Sequence, residues 1–337
     1  MNILVTGGAG YVGSVLFPEL VKDGHNIKCL DRFFFGTEYL SQKQFQGKIE
    51  LVRDDIRWFE PEILKDVDIV MDLAALSNDP VGALEPEKTY QINHLGRARV
   101  AKLSKETGVK QYILASSASV YGQQKDVVNE DSTVNPITDY SKANRKAEED
   151  VLKLNDENFC VTVLRFSSVY GSSPRMRFDI SVNSMVLDLF KTKKIVVRGK
   201  ENSRPFIHIK DAVRAYQHII KESKNNIAGE IFNVGSDEQN YKMGNIAENI
   251  IKATGKQCDL ELGDTNDHRS YITSFTKIRK LGFLPKYTIN DGANDMFRDL
   301  ENQSIQDEVK TITLDWYKKI QSDPILSEKH QINGQIL

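Results

Sequence analysis

Short apolar runs rich in β-branched residues punctuate this chain, and the stretches between them carry apolar residues every three or four positions. At the start, Ile3 to Val5 predicts a short buried strand, "GGAGYVG" a tight turn, Val12 to Lys22 an amphipathic helix, and "NIKCLD" the next strand. The alternation continues through "IELVRDDI", "DIVMDLAA", "QYILASSASVYG" and "VTVLRFSSVYG", with helical segments between them. This β-α succession predicts an α/β fold of Rossmann type, a doubly wound parallel sheet covered on both faces, with sites gathered at the carboxyl ends of its strands. Lys194 to Arg198 is expected to form a short strand bordering the nucleotide site. Beyond Asn302 the sequence turns polar. There the pattern predicts an amphipathic helix around Val309 to Ile320 and leaves "SEKHQINGQIL" as a loose tail.

Three glycines fall where the first strand gives way to its helix. Gly7 lets the backbone turn, Gly10 allows a pyrophosphate to approach, and Gly13 lets helix and strand pack closely, so that the helix N-terminus faces the phosphates. Asp31 ends the second strand, where a carboxylate binds the adenosine ribose hydroxyls and repels a 2′-phosphate; NAD is therefore expected over NADP. Arg32 beside it reads as a solvated loop charge. Asp55 and Ile56 follow a strand where they would meet the adenine, and Ala74 and Ala75 offer small side chains to the cofactor backbone.

Composition narrows the picture. The 337 residues include 45 basic and 47 acidic side chains, so a formal charge of −2 offers no global field to nucleic acid or an anionic membrane. No apolar run approaches the ~18 residues of a membrane span, and "MNILVTGG" enters a strand at once, so a soluble cytoplasmic protein is expected. Cys29, Cys160 and Cys258 are widely spaced and suit thiols in a reducing compartment better than disulfides or a metal site.

The ordered segments "TGGAGYVG", "DLAAL", "ASSASVYG", "DYSKAN", "RPFIHIKD" and "IFNVGS" make the chain resemble the extended short-chain dehydrogenases/reductases, in the nucleotide-sugar branch of the UDP-galactose 4-epimerase relatives, over roughly residues 1 to 300. The resemblance implies an NAD-binding Rossmann domain at 1–170 with returns near 204–235, a smaller substrate-binding lobe mainly at 171–302, and a C-terminal helix and tail at 303–337. For the cofactor it implies Gly7, Gly10, Tyr11, Val12, Gly13, Asp31, Arg32, Asp55, Ile56, Leu73, Ala74, Ala75, Asn93, Tyr140 and Asn144. It implies Ser117 and Tyr140 flanking the reacting carbinol, with Ser116 and Ser119 as near competitors for the serine role, and a homodimer in which helices at about Asn93 to Thr107 and Tyr140 to Asn155 pack against their two-fold mates. Ala143, Ala147, Val151 and Leu154 form an apolar stripe that suits core or interface equally.

In the family a lysine four residues after the tyrosine helps lower the tyrosine pKa; here that place holds Asn144. A phenol with pKa near 10 is a poor base at neutral pH without positive charge nearby. Lys142 and Lys146 lie about 200° and 120° round a helix from Tyr140, so neither simply substitutes. One reading is that Asn144 hydrogen-bonds the ribose and leaves activation to NAD⁺, in which case a lysine at 144 would speed the enzyme. Another is loss of activity, and a third is a protein that only binds NAD and its ligand. Ala118 and Ser119 stand where dehydratases and decarboxylases of the family keep acids, which favours simple oxidoreduction at a sugar carbon: epimerisation or net dehydrogenation. Arg175, Arg177, Arg204 and Arg269 would hold the diphosphate of a nucleotide sugar, joined by Asn183. His208 and Asp211 would pin the lobe to the core.

Overall fold

Strands β1 (Asn2–Thr6), β2 (Asn26–Asp31), β3 (Ile49–Arg53), β4 (Ile69–Asp72) and β5 (Gln111–Ser117) join Cys160–Phe166 and Glu230–Val234 in one seven-stranded sheet of the computed structural model, which describes residues 1–40, 45, 47–265 and 269–337. The order is β3-β2-β1-β4-β5, then Cys160–Phe166 and Glu230–Val234, every pairing parallel. Chain order reverses between β1 and β4, and that reversal opens a crevice at the carboxyl ends of the strands. Successive residues of β1 serve opposite faces. Ile3 and Val5 enter a core with Phe17 and Leu20 of helix α1 (Gly13–Lys22) and Tyr216, whereas Leu4 meets Val70, Tyr112, Val100 and Val151.

Helix Asp139–Leu152 starts from a reciprocal cap in which Thr138 accepts from the Ser141 amide and Ser141 accepts from the Thr138 amide. Its neighbour, helix Arg97–Glu106, is preceded by a π-helical turn over Gln91–Gly96. The stripe of Ala143, Ala147 and Val151 is fully buried, with Leu154 partly buried beside it, so it belongs to the core of this chain.

The smaller lobe gathers helices Ser181–Thr192, Met243–Thr254 and Ile289–Glu301 around a common core. Strand Lys194–Arg198 forms as expected but does not border the nucleotide cavity. It pairs with Asp259–Gly263 and turns Ile195 and Val197 into the lobe's own core. Strand Ser203–His208 returns to the body beside Ser168–Tyr170. At its end Asp211 accepts from the amides of Lys286 and Tyr287 at 2.8 Å each, and the His208 ring stacks on Tyr287, which ties lobe to body.

The C-terminal segment departs from expectation. A turn at Val309–Thr311 leads into helix Thr313–Ser322, but the residues beyond it are not loose. Helix Pro324–His330 is capped by Asp323, and Leu337 packs with Phe34, Leu76, Val81 and Trp316. Apolar burial and backbone hydrogen bonds, neither visible in a polar-looking sequence, hold the tail down. Among the described residues no helix is long and apolar enough to cross a membrane, and all three cysteines are free.

Candidate active site

The turn after β1 shows why glycines stand there. Gly7 has φ +63°, and a Cβ on it would lie 2.6 Å from the Ala74 Cα; a Cβ on Gly13 would lie 2.1 Å from the Gly8 carbonyl oxygen. Backbone thus packs on backbone. Helix α1 begins at Gly13 with no side-chain cap and no acid in its first turn, which leaves its amides and dipole for an anion. Asp31 accepts from the amides of Ala9 (2.9 Å) and Phe33 (2.8 Å), and burial raises its carboxyl pKa. This cradle fits a dinucleotide: room only for glycine at the phosphates, and a fixed carboxylate at the end of β2.

Arg32 is not solvated. It is buried, donates to Asp55 at 2.8 Å, and reaches the carbonyl oxygens of His330 (2.8 Å) and Gln335 (2.7 Å). The folded-back tail covers it. Engaged in this way, Arg32 is a poor receptor for a 2′-phosphate, which strengthens the preference for NAD drawn from Asp31. Asp55 also takes two donors from Arg57, and although burial opposes its ionisation, Arg57 and Arg32 hold its pKa below the usual range.

A cavity of about 420 Å³ runs from this end to Arg204, Arg269 and Tyr271. It gathers every residue expected to touch cofactor or substrate except Asn93 and Asn183. Those two stand fully buried behind its wall. Asn93 accepts from the Leu76 amide and donates to the Leu76 oxygen; Asn183 accepts from the Gly171 amide and donates to Tyr11 and to the Arg177 oxygen.

Ser117, at the end of β5, and Tyr140, one residue into its helix, line this cavity together. The neighbouring serines differ: Ser116 turns inward to Glu148 at 2.6 Å, and the Ser119 hydroxyl finds no partner among the described residues. Desolvation pushes the Tyr140 phenol above its ordinary 10, and Asp79 adds to this; Arg97, Ser117 and Arg177 oppose it. Lys142 and Lys146 are exposed, and Lys146 lies over the Tyr90 ring at 5.5 Å.

The arginines divide. Arg204 lies against the Tyr271 ring and donates to the main-chain oxygens of Ser203 and Arg269, while Arg269 pairs with Asp79, so these two stand together at the substrate end. Arg177 clasps Asp179 through two donors and also meets Ser77. Arg175 makes other contacts. Its amide meets Ser14 on α1, its guanidinium stacks 3.6 Å above Phe35, and burial lowers its pKa to about 10; it lines the same cavity as the other three.

Sequence reasoning missed Arg97, which lines the cavity and donates to Asn144 Oδ1 at 2.7 Å. A signal existed: Asn93, Arg97, Val100, Ala101 and Ser104 share one helical face, and an arginine in so small and apolar a stripe points inward. It also missed the buried pair Arg165–Glu148. No cluster of His, Cys, Asp or Glu suited to a metal occurs among the described residues.

Comparison with known proteins places this geometry. The family model described as "NAD dependent epimerase/dehydratase family" matches residues 3–235. The UDP-glucose 4-epimerase of Lactobacillus helveticus is 28% identical over 316 residues, 85% of this chain and 93% of that protein. The UDP-glucuronic acid decarboxylase 1 of Danio rerio is 28% identical over 323 residues, 90% of this chain and 74% of that one. A crystal structure of the UDP-glucuronic acid 4-epimerase from Bacillus cereus, in complex with UDP-glucuronic acid and NAD, shares the fold with a TM-score of 0.80 at 24% identity, covering 90% of this chain and 100% of the other.

Proposed function

The chain belongs to the NAD-dependent epimerase/dehydratase family, and from that premise we propose that it is an enzyme performing NAD-dependent oxidoreduction at a carbinol carbon of a nucleotide-activated sugar, by epimerisation or net dehydrogenation. One observation carries the reading: Ser117 and Tyr140 line a single cavity together with the glycine turn and the adjacent Arg204 and Arg269. The relatives are named as enzymes of nucleotide-sugar chemistry, which leaves the binding-only alternative without support.

Each part has its task. Tyr140 takes the hydroxyl proton of the substrate, and Ser117 hydrogen-bonds the same oxygen as it becomes a carbonyl. The glycine turn and Asp31 would hold NAD, which would supply the hydride acceptor. Arg204 and Arg269 bind the diphosphate, and Arg177 borders the sugar. With Ala118 and Ser119 after Ser117, no further carboxylate from that segment enters for water elimination. Incubation with NAD⁺ and a panel of nucleotide sugars is expected to give an epimer visible by NMR, or NADH absorbance, for at least one member. No product from any sugar by a protein that binds NAD would overturn the reading.

The enzyme is proposed to be a cytoplasmic homodimer. Because the Ala143–Val151 stripe is buried in the monomer, the two-fold contact falls to the outer faces of helices Arg97–Glu106 and Asp139–Leu152, beside Leu95, which is 58% exposed. Light scattering at micromolar concentration is expected to give twice the chain mass; a monomer refutes the dimer.

A further inference from the structure

We propose that Arg97, held beside Tyr140 by Asn144, is the positioning residue that supplies the positive charge Tyr140 needs as a base. This rests on the reading of Tyr140 as proton acceptor, and goes beyond it by placing the activating cation on a different helix from the tyrosine.

The geometry is a relay of two hydrogen bonds. One Nη of Arg97 donates to Asn144 Oδ1 at 2.7 Å, and Asn144 Nδ2 donates to the main-chain oxygen of Tyr140 at 2.9 Å. The other Nη donates to the main-chain oxygens of Asp72, at 3.2 Å, and Ala115. Arg97 is 1% exposed, and its Nε meets no hydrogen-bond partner among the described residues. Asp72 approaches that Nε only to 3.9 Å, beyond hydrogen-bond reach, and its two oxygens accept from the hydroxyls of Thr6 and Tyr112 at 2.5 Å each.

The hydrogen bonds of the guanidinium thus go to neutral acceptors, and its carboxylate partner Asp72 stands off at 3.9 Å. The other cations near Tyr140 are held more closely: Arg177 clasps Asp179, and Arg269 clasps Asp79. In a desolvated site a charge so loosely paired acts over several ångströms, and a cation favours the phenolate. The groups facing the phenol are Ser117 from β5, Asp79 and Arg177 from the loops around it, and Tyr271 from strand Ser270–Thr273; among the charges, Arg97 acts most strongly in the favourable direction. Those facing Arg97 are Asp72, Asn144 and Tyr216, with the Tyr112 hydroxyl on its main-chain oxygen.

The relay also accounts for the asparagine. An ammonium at 144 would stand at contact distance from the guanidinium, so Asn144→Lys alone is expected to destabilise the protein; the benefit anticipated from sequence reverses.

The test reads ionisation directly. The NAD⁺-bound enzyme is labelled with ¹³C at tyrosine Cζ, Tyr140 is assigned through Tyr140→Phe, and the resonance is titrated. Arg97→Gln is expected to raise the Tyr140 pKa by a unit or more, equivalent to about tenfold less phenolate at neutral pH, and to move the alkaline-rising limb of the pH–rate profile by the same amount. Arg97→Lys and the double variant Arg97→Gln/Asn144→Lys each keep a cation at the site and are expected to titrate near the parent. If Arg97→Gln does not fold, because Asp72 is left uncompensated, Asp72→Asn/Arg97→Gln is compared with Asp72→Asn, and the same rise is expected. A Tyr140 titration unmoved by loss of the guanidinium overturns the proposal. A moved titration in a protein that turns over no sugar overturns the proposed function and leaves the arginine's role standing.

Discussion

Tyr140→Phe is expected to slow turnover by about 10²–10⁴-fold, the usual contribution of a positioned acid or base, while NAD affinity stays unchanged. Tyr140 lines the cavity together with Ser117, where the proposed function brings the reacting oxygen. Removing one oxygen leaves the Thr138–Ser141 cap untouched, so the helix start and the cavity wall persist. What is lost is the only group of the pair suited to hold the proton, since a serine hydroxyl is a far weaker base than a phenolate. The fall should appear in kcat, because the interaction is made as the proton moves. Single-turnover rates with bound NAD⁺ measure it, and a variant as fast as the parent would show that another group takes the proton.

Glu148→Ala is expected to destabilise the fold by about 3–5 kcal/mol, the cost of leaving a buried charge without its partner. Glu148 is fully buried and takes both Nε (2.9 Å) and Nη2 (2.7 Å) of Arg165, along with the Ser116 hydroxyl. The alanine would strand Arg165, which is itself 1% exposed and held otherwise by the Tyr121 hydroxyl. Glu149→Ala is the internal control: its pair with Arg145 lies on the surface, and such pairs contribute roughly 0–1 kcal/mol. Urea unfolding of the two variants should separate them clearly. Equal midpoints would mean that Arg165 finds another acceptor when Glu148 is gone.

Much of the fold was legible because it rests on local pattern. The β-branched runs marked the inner strands, since strands buried on both faces need no alternation, and the glycine turn, Asp31, the serine run around Ser117 and the segment around Tyr140 are each short and local. What escaped reading is what the chain assembles across distance. Tyr140, Asn144 and Glu148 follow one another every four residues along one helix face, yet the partners that give the last two their meaning come from elsewhere: Arg97 from the neighbouring helix and Arg165 from the adjacent strand. Arg175 was legible as a basic residue near a cleft, but not as one turned toward α1, because only the path of its loop decides which side it faces. The tail was misread for the opposite reason. Most of its polar side chains stay outside, while the His330 ring, main-chain oxygens and Leu337 do the packing.

That tail bears on how the protein is made. Arg32 hydrogen-bonds oxygens that lie 298 and 303 residues further along the chain, and Ile336 and Leu337 wall the same end of the cavity. Strands β1 to β5 are within reach of one another early in synthesis, and domains fold as units as the chain emerges. The adenosine end is different: until residues 330–337 have left the ribosome, Arg32 and Asp55 face water and one wall is missing. Closure of this end of the cavity is therefore expected only after translation reaches the tail, so a nascent chain stalled upstream of it would carry a nearly finished sheet and an open cavity.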